Sequence, residues 1–259
     1  LLVQRDRETL VSVKIGRVGC AGWSLPRAEQ ARFPAAGSHL ERYASRFDAV
    51  EINSSFHRPH RPATYARWSA SVPSSFRFSV KLPKTITHAL RLQQAGELVE
   101  TFLTEAGGLG EKLGCLLVQL PPSLSFDHRV AADFFSDLRS RSPAPLACEP
   151  RHPSWFIPRA DALLRELGVA RVAADPACVP AAAEPGGLRE LSYFRLHGSP
   201  RLYSSEYAEE SLAALGSRLQ ADVAAGRNVW CIFDNTALGA ATRNALDLRS
   251  RLEGLQDAV

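Results

Sequence analysis

The 259-residue chain contains no methionine, so Leu1 is not expected to be the native start. It has no CxxC pair and an odd number of cysteines, five, so neither a disulfide framework nor a cysteine-based zinc site is indicated. Cys20, Cys115, Cys148 and Cys231 each fall in an apolar run and are read as small buried hydrophobes in a reducing compartment. No apolar stretch approaches the roughly 20 residues that span a bilayer. Near the first residue, Arg5, Asp6, Arg7 and Glu8 interrupt the apolar run that a secretion signal needs. A cytoplasmic protein with no membrane partner is expected. There is no P-loop, no dinucleotide glycine fingerprint and no G-x-S-x-G elbow, so ATP, NAD and serine-hydrolase chemistry have no positive support. Nor does either charge dominate, with 31 Lys+Arg against 27 Asp+Glu for a net +4. Such a balance tolerates an anionic partner without demanding one.

What is present is alternation. Strands are predicted over 18–22, 49–53, 76–82, 115–120, 146–149, 170–174, 193–197 and 228–233. Helices are predicted over 39–47, where Ser38 serves as N-cap, and over 63–72, 96–106, 130–140, 159–167, 206–225 and 240–252. The Pro-, Ala- and Gly-rich stretch 176–187 reads as a loop insertion. Strands alternating with helices call for a parallel sheet, and eight strands are the number that closes a barrel. The expected fold is α/β, a single (β/α)8 TIM-type barrel over 17–259 preceded by an N-terminal extension, 1–16. A doubly wound open sheet is the alternative.

Side chains alternate across a strand, so a polar residue in phase with small ones faces the barrel interior. By that rule Ala49, Glu51 and Asn53 point inward on the second strand, and Arg77, Ser79 and Lys81 on the third. Gln119 follows on the fourth strand and Glu149 on the fifth, then Tyr193, Arg195 and His197 on the seventh. Asp175 ends the sixth strand, and Asp234 with Asn235 ends the eighth, whose phase is ambiguous. Barrel enzymes build their sites at this carboxyl end of the strands. A strand-terminal Asp or Asn can be no more than a helix cap. Charges in the apolar body of a strand are harder to dismiss, because an unpaired one costs several kcal/mol. A purely structural ion-pair network is the competing reading.

These segments carry a resemblance. Gly19-Cys20-Ala21-Gly22-Trp23, Val50-Glu51-Ile52-Asn53-Ser54-Ser55-Phe56, the stretch 76–81 with Ile86-Thr87-His88, and Leu117-Val118-Gln119-Leu120-Pro121-Pro122 appear in an order similar to that of the YecE-like family, domain of unknown function 72. Glu149-Pro150-Arg151-His152, Trp155-Phe156, Arg195-Leu196-His197-Gly198 and Phe233-Asp234-Asn235 continue it, so that the likeness spans about residues 17–252. It implies a TIM-barrel fold and brings no established reaction. His57 stands where the family more often shows Tyr. Xylose isomerases and endonuclease IV, which are barrels of related shape, carry divalent metals, an analogy of fold only.

The first reading is therefore an enzyme acting on a small anionic or hydroxylated substrate, phosphate- or sugar-like. Glu51, Lys81, Glu149, His197 and Asp234 are the candidate catalytic residues. Trp23, Asn53, His88, Gln119, Arg151, His152, Trp155, Arg195 and Asn235 are the candidate substrate-binding residues. The backbone amides of Gly198 and Ser199, and of 236–239, fall where barrels often hold phosphate. A second reading is metal-dependent, hydrolysing phosphodiesters in the manner of endonuclease IV, with Glu51, Glu149, Asp175, His197 and Asp234 as ligands, joined by His88 or His152. No HxH or HxxxH spacing supports it, and the cofactor is left undetermined. A third is a non-catalytic binder of nucleic acid or nucleotide, through Arg27, Arg58, Arg61 and Arg91.

Overall fold

The computed structural model describes residues 16–256. The expected extension, apart from Gly16, lies outside the described residues, as do positions 257–259. Ten strands occupy eight stave positions. They are β1 (Arg17–Cys20), β2 (Ala49–Ile52), β3 (Arg77–Lys81), β4 (Leu113–Gln119), β5 (Leu146–Glu149), β6 (Val169–Arg171), β7 (Ala173–Asp175), β8 (Gly186–Gly187), β9 (Leu191–Leu196) and β10 (Asn228–Phe233). Two ladders, β2-β3-β4-β5-β6-β8 and β1-β10-β9-β7, make the ring, and every pairing except the β6–β8 one is parallel. One seam is closed by a parallel bridge from Ala21 to Glu51. The other is closed by the sixth stave itself, interrupted at Val172, whose first half pairs with β5 and whose second half pairs with β9.

Helices α1 (His39–Ala44), α3 (Pro62–Ala70), α4 (Gly96–Ala106), α5 (His128–Arg141), α6 (Pro158–Glu166), α7 (Glu209–Ala224) and α8 (Ala240–Gln256) wrap the outside, while the short α2 (Ser54–His57) lies at the barrel mouth. Ser38 starts α1 with a reciprocal capping box, its Oγ accepting from the Glu41 amide while Glu41 accepts from the Ser38 amide. The helix ends at Ala44, three residues short of the expected span. No α-helix follows the sixth stave; the expected loop insertion contains a 3-10 turn, Pro180–Ala183, and the short β8 laid antiparallel on β6. The short α2, directly after β2, was not anticipated from the sequence.

The alternation along the staves sorts the core into two parts. Val18, Val50, Ile52, Phe76, Phe78, Val80, Leu116, Val118 and Phe194 join the layer between staves and helices. Ala49, Cys115, Leu117, Ala147, Ala170, Val172, Leu191, Tyr193, Trp230 and Ile232 fill the barrel interior. Trp230 and Tyr193 stack there with ring centroids 5.8 Å apart and planes 5° from parallel. With Trp230 and Ile232 inward, Asp234 is inward too, which resolves the phase of the last strand. Cys20, Cys115, Cys148 and Cys231 are buried thiols, as expected, while Cys178 is exposed in the loop after β7.

Gly19 shows how closely the first two staves approach. A Cβ there would sit 2.1 Å from the Ala49 carbonyl oxygen and 2.9 Å from the Tyr43 hydroxyl. That hydroxyl ties the staves together, accepting from the Cys20 amide at 2.8 Å and donating to the Ala49 carbonyl at 3.0 Å. Gly19→Ala is expected to cost about 1–3 kcal/mol through overpacking, read as a lower urea midpoint with an unchanged slope. An unchanged midpoint would show that β1 and β2 can part freely.

Candidate functional site

The inward residues converge at the carboxyl end of the staves, and they divide into a sealed floor and an open cleft. Arg195 is the centre of the floor and is fully buried. Its Nε and Nη2 clasp Glu51 at 3.1 and 2.6 Å, its Nη1 reaches Glu149 at 2.5 Å, and Nη2 also reaches Asp234 at 3.0 Å. The fixed fork of the guanidinium permits this, since it offers several N–H donors in one plane. Tyr193 Oη lies 2.8 Å from Glu51 Oε2 and 2.8 Å from Ser79 Oγ. Its single proton goes to the carboxylate, the stronger acceptor, so the Ser79 hydroxyl donates in turn.

His197 closes the floor. Nδ1 is 3.1 Å from Asp234 Oδ2, and Nε2 is 2.8 Å from Glu149 Oε1 and 2.9 Å from Arg151 Nη2. The ring thus bridges Asp234 on one side to Glu149 and Arg151 on the other. Arg151 Nη2 also lies 2.7 Å from Glu149 Oε1. Burial alone would raise the Glu149 carboxyl, but Arg195, His197 and Arg151 outweigh it and hold the group well below the usual carboxylate range. Asp234 is lowered against the same burial by Arg195, His197 and Lys81. Burial works against the charge on Arg195, yet Glu51, Glu149 and Asp234 raise it well above its ordinary value.

Above this floor opens a cleft of about 850 Å³, within the range of small-molecule sites. Of the expected residues, Asn53, Lys81, His88, Gln119, Arg151 and Asp234 line it. Glu51, Glu149 and His197, expected as catalytic, are instead 0–1% exposed and lie beneath, because Arg195 draws their polar atoms into the barrel. Arg195, expected to hold substrate, is the hub of that network. Trp155 is buried against Phe126 and donates from Nε1 to the Leu124 carbonyl at 2.9 Å. His152 caps the turn Pro153–Trp155, and Trp23 packs edge-on against Trp68. Asn235 donates to the Ser205 carbonyl and to Asn244, each at 2.9 Å, and Asp175 accepts from the Tyr207 hydroxyl at 2.6 Å. These side chains build walls and loops away from the cleft. Three of the six expected phosphate-binding amides are also engaged, Gly198 with Tyr207 Oη, Ala237 with the Tyr203 carbonyl and Gly239 with the Thr236 carbonyl.

Phe56, His57, Lys84, Pro122, Pro176, Ala177, Cys178, Leu202 and Tyr203 complete the lining without having been anticipated. They sit on loops and short turns, where no periodicity marks them. Lys84 had one usable signal, for only four lysines stand against 27 arginines in the whole chain. Lys81 is the least conventional of the cleft groups. Among the described residues its Nζ makes no hydrogen bond or ion pair, and it lies 4.1 Å from the centre of the Phe56 ring. Burial first and Arg195 second lower its pKa to about 8, against the opposing pull of Glu51, Glu149 and Asp234. His88 packs edge-on against the same Phe56 ring at 5.0 Å and bonds Thr87 Oγ1 through Nδ1 at 2.8 Å. Burial, Lys81 and Arg151 lower its pKa. Free hydrogen-bonding capacity remains at Asn53 Oδ1 and Arg151 Nε, both buried and unpartnered among the described residues.

A divalent metal does not fit the floor. Glu51, Glu149 and Asp234 already converge on the Arg195 guanidinium, so a dication would have to share their centre with a permanent positive charge. Among the described residues no group of three or more His, Cys, Asp or Glu side chains is arranged to hold an ion.

Fold and site together define a TIM-barrel protein with a basic cleft over the ends of its strands. The chain belongs to the family described as "Protein of unknown function DUF72", matching it over residues 17–259. It is 30% identical over 139 residues to UPF0759 protein YecE of Escherichia coli (strain K12), a match covering 54% of this chain and 49% of that one. Identity to UPF0759 protein YunF of Bacillus subtilis is 25% over 147 residues, covering 54% and 52%. The matched stretch spans about half the length of these curated relatives. A crystal structure of a DUF72 family protein from Thermotoga maritima superposes with a TM-score of 0.75 at 26% identity, covering 92% of this chain and 98% of that one. A xylose isomerase domain containing protein from Salmonella typhimurium gives 0.54 at 14% identity, covering 94% and 98%, a likeness of fold alone. Among the described residues no helix is long and apolar enough to cross a membrane.

Replacing Arg195 should expose what the floor costs. Arg195→Met leaves three buried carboxylates without their shared cation and is expected to lose about 3–5 kcal/mol, measured by urea denaturation. Glu149 and Asp234 have lowered folded pKa values, so their stabilisation is present above the ordinary carboxylate pKa of about 4 and disappears as pH falls through the folded values. Melting temperature should accordingly fall steeply on acidification below that point, and Glu149→Gln should flatten the slope. A flat profile in the parent protein would mean that the floor is not ionised as described.

Proposed function

We propose that the protein is an enzyme that acts by proton transfer on a small anionic, hydroxylated substrate bearing phosphate or carboxylate. The observation that carries this reading is Lys81, an amine held at the base of the cleft without a counter-ion and titrating at about 8. An amine near neutrality can both accept and return a proton at working pH, which an ordinary lysine cannot. Lys81, Lys84 and Arg151 bring three cations to the cleft against the single carboxylate of Asp234. The Arg151 side chain is 20% exposed and reaches the cleft, and the flat fork of a guanidinium suits phosphate and carboxylate alike. Asp234, held ionised from below, accepts a hydrogen bond from a substrate hydroxyl, with Asn53 and Gln119 beside it. Glu51, Glu149, His197 and Arg195 act from beneath by fixing Asp234 and Arg151. A cleft of this size suits a small molecule better than a nucleic-acid strand.

Two measurements test the reading. In competitive acetylation across pH, Lys81 should reach half-reactivity near pH 8. A Lys81 profile centred at the ordinary lysine value of about 10.4 would remove the acid–base assignment. Inorganic phosphate or pyruvate at ten times its Kd should add about 1.4 kcal/mol, a Tm rise of about 3–5 °C. Arg151→Met should lose that rise. No stabilisation by either anion, or an equal one in Arg151→Met, would remove the anion site.

A further inference from the structure

We infer that Lys81 is an imine-forming nucleophile and that the cleft takes a small aldehyde or ketone carrying a phosphate or carboxylate group. This rests on the anion-binding reading of the same cleft and adds the reacting bond. Composition supplies the first argument. The chain meets nearly all its need for positive charge with arginine, 27 residues against the four lysines Lys14, Lys81, Lys84 and Lys112. Two of those four line this one cleft. Arginine stays protonated under all ordinary conditions, so lysine does what arginine cannot only where a free amine is needed.

Geometry supplies the second argument. A lysine placed for charge balance would settle on a carboxylate, and three carboxylates lie in the same barrel mouth. Glu51, Glu149 and Asp234 are all taken up by Arg195, with His197 on two of them. Lys81 Nζ rests instead on the Phe56 ring. The strand end that carries it is pinned, the Ser55 hydroxyl donating to the Lys81 carbonyl at 2.7 Å. Burial and the adjacent Arg195 both favour the neutral amine. His88, on the edge of the same Phe56 ring with Nδ1 held by Thr87, offers Nε2 to relay the proton.

The chemistry balances without any further reagent. His88 takes a proton from the Lys81 ammonium, and the free amine attacks the carbonyl carbon. A C–N bond forms while the C=O π pair moves to oxygen, and a proton passes from the now cationic nitrogen to that oxygen to give the carbinolamine. His88 returns its proton to that hydroxyl, the C–O bond breaks, and water leaves. The sum is one ammonium and one carbonyl giving one protonated imine and one water, with charge unchanged. Arg151 and Lys84 hold the anionic end of the substrate during these steps.

The test uses the intact protein with pyruvate or dihydroxyacetone phosphate and sodium cyanoborohydride, followed by peptide mass mapping. An imine trapped on Lys81 adds the mass of the probe less one oxygen atom. At neutral pH a lysine titrating at about 8 holds roughly a hundredfold more free amine than an ordinary one. Even after allowing for its weaker basicity, Lys81 is expected to be labelled at least about tenfold faster than Lys84 or Lys112. Lys81→Met and Lys81→Arg should lose the adduct, the second keeping the charge and so controlling for folding. Arg151→Met should slow labelling by the two anions but not by the neutral probe glycolaldehyde. Labelling spread evenly over the lysines, or absent from Lys81, overturns the imine. If phosphate still stabilises the protein through Arg151 in that case, the anion site stands without it; if it does not, both readings fall.

Discussion

The barrel mouth depends on one guanidinium. Arg195 sits where three carboxylates from three other staves or strand ends meet, and without it Glu51, Glu149 and Asp234 would repel one another in a space closed to water. Bringing four such charges out of solvent costs several kcal/mol each, and good hydrogen-bond geometry is what offsets it. The network therefore holds only while β2, β5, β9 and the end of β10 keep their registers, and it makes those registers mutually dependent. A slip of one residue in β9 would turn Arg195 outward and bring Phe194 or Leu196 into the charged layer.

The same hub shapes the cleft above it. Because Arg195 and His197 engage the carboxylates directly, Lys81 is left without an ion pair, and burial with Arg195 outweighs the pull that Glu51, Glu149 and Asp234 exert on its proton. The floor thus acts on the cleft electrostatically, and of its members only Asp234 also lines the cleft. The wall opposite β3 comes from an irregularity in the sixth stave, where the change of partner at Val172 leads β7 into the loop of Pro176, Ala177 and Cys178. With no helix to absorb that segment, it is free to fold over the mouth.

Alternation along the strands was enough to place most of this. Glu51, Ser79, Lys81, Glu149, Arg195 and His197 all face inward as their phase requires, since an apolar neighbour on either side can lie only against the helices. The last strand resisted the rule because Val229 to Phe233 are apolar on both faces. Alternation reports a face, not a depth. It could not separate Glu149, sealed at 1% exposure, from Lys81 at 9%, which reaches the cleft. That distinction arises from which cation the carboxylates find, a matter of three-dimensional pairing. The floor residues do form an ion-pair network, and the cleft lies above it. His152, Trp155 and Asn235 share segments with cleft residues but turn to capping, packing and loop bonding, because side chains at loops follow local hydrogen bonds rather than a period.

An arginine centre and a metal centre solve the same electrostatic problem with different consequences. A dication draws carboxylates together, polarises a bound oxygen and can dissociate; a guanidinium neutralises them, saturates their lone pairs and offers no open coordination position. Replacing one by the other removes Lewis-acid activation at the floor and leaves the chemistry to groups that exchange protons or form bonds themselves. In this barrel those groups are confined to the cleft, and among them Lys81 alone combines desolvation, freedom from a counter-ion and a nucleophilic atom. The fold's reliance on Arg195 for closure and the reactivity proposed for Lys81 thus rest on one arrangement, in which Arg195 engages the carboxylates and the amine is left without an ion pair at the cleft.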